Sequence, residues 1–200
     1  MLEARGITFG YPGAQPIYQG LSLAVEPGER VELRAPSGFG KTTLCRILAG
    51  FEVPQAGEVL VDGAPLPVRG VCPVQMVGQH PELAVDPRLR MRDTLAEAGR
   101  IDDELLARLG IRREWLVRYP HELSGGELQR FCIARALTVK PRYLIADEVS
   151  TMLDAITQAH IWELLLAELE ERGMGLVFVS HSRALAERVA TRVVELSREA

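Results

Sequence analysis

Lys41, Thr42 and Thr43 stand directly behind Ala35-Pro36-Ser37-Gly38-Phe39-Gly40, and residue types in that order suit the holding of a polyphosphate. Gly38 and Gly40 permit backbone conformations that a side chain forbids. Ser37, Gly38, Phe39 and Gly40 can therefore turn successive N–H groups toward one anion. Lys41 adds a mobile positive charge for the β- and γ-phosphates, Thr42 a hydroxyl able to sit on Mg²⁺, and Thr43 continues the same turn. The usual first glycine of such a cradle is replaced by Ala35. Because Ala35 precedes Pro36, its backbone is pushed toward an extended form that a strand end supplies, so the turn is expected to form. The competing reading is an ordinary strand-to-helix turn that contains Gly-Lys-Thr.

Further along, Leu123-Ser124-Gly125-Gly126-Glu127 opens a helical pattern, giving exposed N–H groups, a hydroxyl and a favourable dipole: a second anion-binding arrangement, or simply a helix cap. Asp147-Glu148 ends a run of apolar residues, and two acids at the exit of a buried strand are costly without a role or a partner. Asp147 is placed to hold Mg²⁺ and Glu148 to accept a proton from an attacking water; two solvated strand-end acids are the alternative. Gln79 and His181 stand just past two other apolar strands, where ligands are met in nucleotide-binding sheets, although a solvated glutamine and a structural histidine would look the same. Tyr11 lies in a turn upstream of the cradle and could stack on a base or pack over a sheet.

The elements that must position these groups are read from periodicity and punctuation. Strands are expected at 2–9, 21–25, 30–34, 58–61, 74–78, 143–146, 176–179 and 192–196, with a hairpin turn at Asp62-Gly63. Helices are expected at 44–48, 94–99, 103–109, 128–138 and 183–190. A long helix after Asp154 carries Ile161, Trp162, Leu165, Leu166 and Leu169 as a core stripe. Asp93 or Arg92 is expected to open the second of these helices, Asp102 to cap the third and Gly110 to end it. From His80 to Glu122 no strand signal survives, which reads as a small helical subdomain inserted in a sheet domain.

Two hundred residues, 47% hydrophobic and 25% charged, suit one folded unit with a sizeable core. A net charge of -4 gives no electrostatic case for nucleic acid. Neither end shows a leader pattern and no apolar run reaches the eighteen or so residues of a membrane span, so the chain is read as cytoplasmic. Cys45, Cys72 and Cys132 lack metal-ligand spacing and are expected to be buried structural thiols; the four histidines lack it as well.

Taken in order, the set resembles the ATP-binding subunit of an ABC transporter. Lys41 in the glycine turn, Gln79, Leu123 to Glu127, Asp147-Glu148, Thr151-Met152-Leu153-Asp154 and His181 are similar to that family's Walker A, Q-loop, signature, Walker B, D-loop and switch histidine. The resemblance implies an α/β fold: a P-loop NTPase core with a mainly parallel central sheet, an N-terminal antiparallel β-subdomain and an inserted α-helical subdomain. Residues 1–79 and 143–200 would form the core and about 80–142 the helical part. It implies Glu148, His181, Gln79 and Lys41 in catalysis, and Thr42, Gln79 and Asp147 around Mg²⁺. ATP would touch Tyr11, Ser37, Gly38, Phe39, Gly40, Lys41, Thr42 and Thr43, and from a second copy Ser124, Gly125, Gly126, Glu127 and Asp154. Glu127 stands where the family most often has Gln, and Thr151 where it often has Ser.

The implied partners are a second ABC ATPase subunit, identical or different, paired head to tail, and integral membrane permease subunits contacted by Gln79 and the stretch from His80 to Leu95. A solute-binding protein belongs to the same picture, at the inner face of the cell membrane, with no nucleic acid. Gly78 to Pro81 and Val85 to Arg88 are similar to the peptide and nickel importer branch, although the C-terminal extension that many of that branch carry is not seen after His181. The alternative is a soluble ABC-type ATPase of repair or translation, and a degenerate partner that does not hydrolyse is a third reading, supported by Ala35 alone.

Overall fold

In the computed structural model, which describes residues 1–151 and 153–197, the chain alternates strands and helices around two sheets. Strands β1 (Leu2–Phe9), β2 (Tyr18–Val25), β4 (Ala56–Val61) and β5 (Ala64–Pro65) form an antiparallel sheet in the order β2-β1-β4-β5. Strands β3 (Arg30–Arg34), β6 (Val74–Val77), β7 (Tyr143–Asp147), β8 (Gly175–Val179) and β9 (Arg192–Glu195) form a parallel sheet in the order β6-β7-β8-β3-β9. Helices α1 (Lys41–Leu48), α2 (Met91–Ala96), α3 (Asp103–Arg108), α4 (Gly125–Thr138), α5 (Ala155–Arg172) and α6 (Arg183–Val189) make the connections, so the expected α/β class is observed.

β7 explains why the parallel sheet is central. All five of its residues are buried, and side chains alternate across a strand. Leu144 and Ala146 join a core with Leu105, Phe131, Leu137, Trp162 and Leu165, on the side of α2 to α5. Tyr143 and Ile145 face the other way, into a core with Leu2, Ile7, Leu33, Leu44 and Ile47, on the side of α1 and the antiparallel sheet. The expected stripe on α5 is core: Ile161, Trp162, Leu165 and Leu169 are buried, and Trp162 packs edge-on to Phe178 at 5.6 Å.

Three helices start earlier than the hydrophobic periodicity indicates, and each start has a physical cause. α1 begins at Lys41 because Gly40, left-handed at φ 102°, turns the chain directly out of the glycine loop. α2 begins at Met91, with Arg90 and not Asp93 or Arg92 before its first turn. The donors of that turn are met by tertiary backbone, Met91 N–H to the Arg118 carbonyl and Arg92 N–H to that of Leu116, both at 2.9 Å. α4 begins at Gly125 with Ser124 as its cap. Asp102 caps α3 as expected, its carboxylate accepting from the Glu104 and Leu105 N–H groups, and Gly110 follows at φ 66°. Cys45 and Cys132 are buried and burial pushes both thiols up, the latter to about 11, whereas Cys72 is only half-buried. No helix among the described residues is long and apolar enough to cross a membrane.

Candidate functional site

Parallel register brings the separate motifs to one level. A single row across the sheet reads Val77, Ala146, Phe178 and Glu32, on β6, β7, β8 and β3. Two residues beyond that row stand Gln79, Glu148, Ser180 and Arg34, so the Gln79 turn, the acid pair, His181 and the glycine turn all leave the same edge of the sheet. This is the carboxyl edge, where an open α/β sheet presents its crevice.

The glycine turn runs from Ala35 to Gly40. Ala35 is not among the described non-glycine residues with positive φ, so the missing first glycine leaves no backbone strain there. Gly38 has φ 75°. No side chain caps α1 among the described residues, which leaves its first N–H groups directed out of the helix end. The Lys41 ammonium donates to the Ala35 and Pro36 carbonyls, at 2.9 and 3.1 Å. The Tyr18 hydroxyl, which nothing in the sequence singles out, donates to the Gly40 carbonyl at 2.9 Å.

Asp147 is 5% exposed and its Oδ1 has no hydrogen-bond partner. Burial raises its carboxyl pKa above the ordinary value, the neighbouring Thr42 hydroxyl pulls it back down, the Glu148 charge raises it and the Lys41 charge lowers it. Thr42, Lys41 and the acid pair thus share one electrostatic neighbourhood. Glu148 is paired: its Oε1 lies 2.7 Å from Nε2 of His181. The Glu148 backbone is left-handed at φ 53°, a conformation rarely taken by a residue with a side chain, and its N–H donates to the Val179 carbonyl.

Other expected residues sit at the rim or elsewhere. Tyr11 is 42% exposed, packs edge-on to Phe9 with centroids 5.1 Å apart, and brings its hydroxyl 3.5 Å from that of Thr43. Gln79 lines a cavity of about 210 Å³ together with Gly125, Gln129, Val149 and Leu153. Ser124 and Glu127 form a reciprocal capping box: Ser124 N–H donates to the Glu127 carboxylate at 2.8 Å and Glu127 N–H to the Ser124 hydroxyl at 3.3 Å. Gly126 is required by packing, since a Cβ there would lie 2.8 Å from Cγ2 of Thr157. Asp154 caps α5, accepting from the N–H groups of Ile156 and Thr157 and from the Thr157 hydroxyl. Met152, in the same loop, lies outside the described residues.

Ser150 was also illegible in the sequence. Its hydroxyl, 5% exposed, accepts from Gln158 Nε2 at 2.8 Å and from Trp162 Nε1 at 3.0 Å, tying the loop after Glu148 to α5.

Comparison with known proteins finds the chain similar to ABC transporter ATPases. Residues 18–151 match the family model described as "ABC transporter". The chain is 38% identical to the nickel import ATP-binding protein NikE of Rhodospirillum rubrum, over 94% of this chain and 74% of that one. It is 35% identical to the glutathione import ATP-binding protein GsiA of Escherichia coli over 86% of its own length, but spans only 31% of that larger relative. Among solved structures, the dimeric post-hydrolysis state of the ATP-binding cassette MJ0796 bound to ADP and Pi superposes with a TM-score of 0.84 at 25% identity, covering 99% of this chain and 95% of the other.

Proposed function

We infer the function from one premise, that this chain belongs to the ABC transporter family. It binds ATP and hydrolyses it to power transport. The observation that carries the reading is the common level of four strand ends, which brings the Lys41 turn, Gln79, Asp147-Glu148 and His181 to one edge with Glu148 and His181 already in contact.

The arrangement supports the following roles for individual residues. The N–H groups from Ser37 to Thr43 and the Lys41 ammonium hold the phosphates, and Tyr11 covers the base at the rim. Glu148 accepts a proton from the attacking water. His181, on its Oε1, holds the carboxylate in orientation and, with Gln79, registers the terminal phosphate. Asp147 fits a divalent cation, because its buried Oδ1 lacks a partner and burial disfavours its charge. Asp147, Thr42 and Gln79 would hold Mg²⁺, which when bound neutralises phosphate charge.

Ser124, Gly125, Gly126, Glu127 and Asp154 would serve a second cassette in a head-to-tail pair, each chain offering two half-sites. Residues 1–79 and 143–200 act as the nucleotide-binding core and 80–142 as the helical part that carries motion to a membrane permease. Gln79 and the stretch from His80 to Leu95 would meet the permease, beside a groove of about 350 Å³ to which Pro81 and Ala84 of that stretch contribute. The import relatives support an importer of the nickel and peptide branch, served by a solute-binding protein and working at the inner face of the cell membrane.

Replacing Glu148 by Gln tests the core of this reading. MgATP binding is expected to persist while turnover falls roughly 10²- to 10⁴-fold; undiminished hydrolysis would remove Glu148 from its role. Co-purification with an integral membrane protein is expected. Recovery with ribosomes or DNA instead would support the soluble repair or translation reading.

A further inference from the structure

We propose that Tyr18 is a positioning residue of the phosphate cradle, its hydroxyl fixing the Gly40–Lys41 peptide so that the Lys41 N–H points at the bound phosphate. The proposal rests on the nucleotide-binding reading above.

The Gly40 carbonyl accepts two hydrogen bonds, one from Leu44 N–H in the first turn of α1 and one from the Tyr18 hydroxyl, both at 2.9 Å. A peptide unit is planar and trans, so its C=O and the following N–H point in opposite directions. Holding the Gly40 oxygen against the body of α1 and against Tyr18 therefore sends the Lys41 N–H out of the uncapped helix end, where the anion sits. The helix bond alone occupies one lone pair of that oxygen, and Tyr18 occupies the other.

The device is needed because the residue it controls is a glycine. Gly40 sits at φ 102°, in a region glycine enters and leaves at little cost, and it has no side chain to restrain the peptide. Restraint comes from the neighbouring sheet. A Cβ on Gly40 would meet Cγ2 of Ile17 at 2.5 Å and the Tyr18 hydroxyl at 3.2 Å, so the entry into β2 forms a wall against the turn. Tyr18 is 3% exposed, and burial pushes its phenol further from ionisation, so the hydroxyl is a donor near neutral pH. The wall is itself braced, since Ile17 N–H donates to the Phe9 carbonyl at 2.7 Å and Phe9 carries Tyr11 on its edge. The antiparallel sheet thus acts on the cradle through Tyr18 as well as through the base-covering Tyr11.

The test uses the full chain with Tyr18→Phe, which removes one oxygen and keeps the buried ring, beside Lys41→Ala. Titrations with MgADP and steady-state hydrolysis of MgATP are run well below the melting temperature. For Tyr18→Phe, the Kd for MgADP and the KM for MgATP are expected to rise roughly three- to tenfold, the worth of one hydrogen bond, with kcat held within about twofold. An unchanged Kd, with or without a lower melting temperature, or a fall in kcat alone, would overturn the proposal and leave Tyr18 as core packing. The Lys41→Ala chain separates this from the parent reading. If it binds MgADP as the wild type does, or if the wild type binds none, the nucleotide reading fails and this inference falls with it.

Discussion

At the scale of single residues, Asp147 works against the stability of its own fold. Its pKa is raised in the folded chain, so the native state binds the proton more tightly than the unfolded state does. Stability from this group therefore falls as pH rises from the ordinary carboxylate value through the raised one, and above that window the whole cost stands. Asp147→Asn is expected to raise the melting temperature at neutral pH, by about 2–4 °C for each kcal/mol of relieved burial, and to abolish hydrolysis. Thermal melts at pH 7 and near pH 4 check it, because the gain should shrink in acid. Ser150 is the opposite case. Ser150→Ala strands the buried indole N–H of Trp162 and should destabilise by about 1–3 kcal/mol in denaturant titrations. Lys41, Asp147 and Glu148 were legible because their neighbours in sequence announce them. Tyr18 and Ser150 were not, since the atoms they hold belong to other elements and their chemistry exists only once the chain is folded.

At the scale of elements, helix ends divide into those satisfied by the chain and those left for something else. α3, α4 and α5 are capped by Asp102, Ser124 and Asp154, and removing such a cap costs about 1 kcal/mol, the loss expected for Ser124→Ala by chemical denaturation. Glu127→Gln should cost much less than that, because an amide oxygen can still accept from Ser124 N–H. Caps of this kind can be read from sequence, as Asp102 was. The start of α2 could not be, because its donors are met by carbonyls of Leu116 and Arg118, more than twenty residues away, and local chemistry carries no trace of that pairing. Between α4 and β7, Lys140 takes a left-handed backbone at φ 52°. Lys140→Gly should therefore stabilise the fold by about 1 kcal/mol, read as a higher midpoint in urea with an unchanged slope.

At the scale of the molecule, the parallel sheet lies between two apolar cores, and β7 and β8 contribute to both through alternate residues. The helices between His80 and Thr138 have no separate core: Leu105, Phe131 and Leu137 pack with Leu144, Leu176 and Phe178 of the sheet. One cooperative calorimetric transition is expected; two resolved transitions would show that the helical part melts independently. Strand identity was legible because apolar runs and turns mark it, whereas the order β6-β7-β8-β3-β9 was not, since the placing of β3 between β8 and β9 depends on pairing across more than 140 residues. The left-handed backbone at Glu148 has a consequence of a different kind. Glycine is the residue most at ease in that geometry, and a single base separates the codons of the two amino acids. On the role proposed for Glu148, random mutation therefore has a short route from a working motor to a well-folded, inert copy, which quality control aimed at misfolded chains would not remove and which only selection on transport itself would detect.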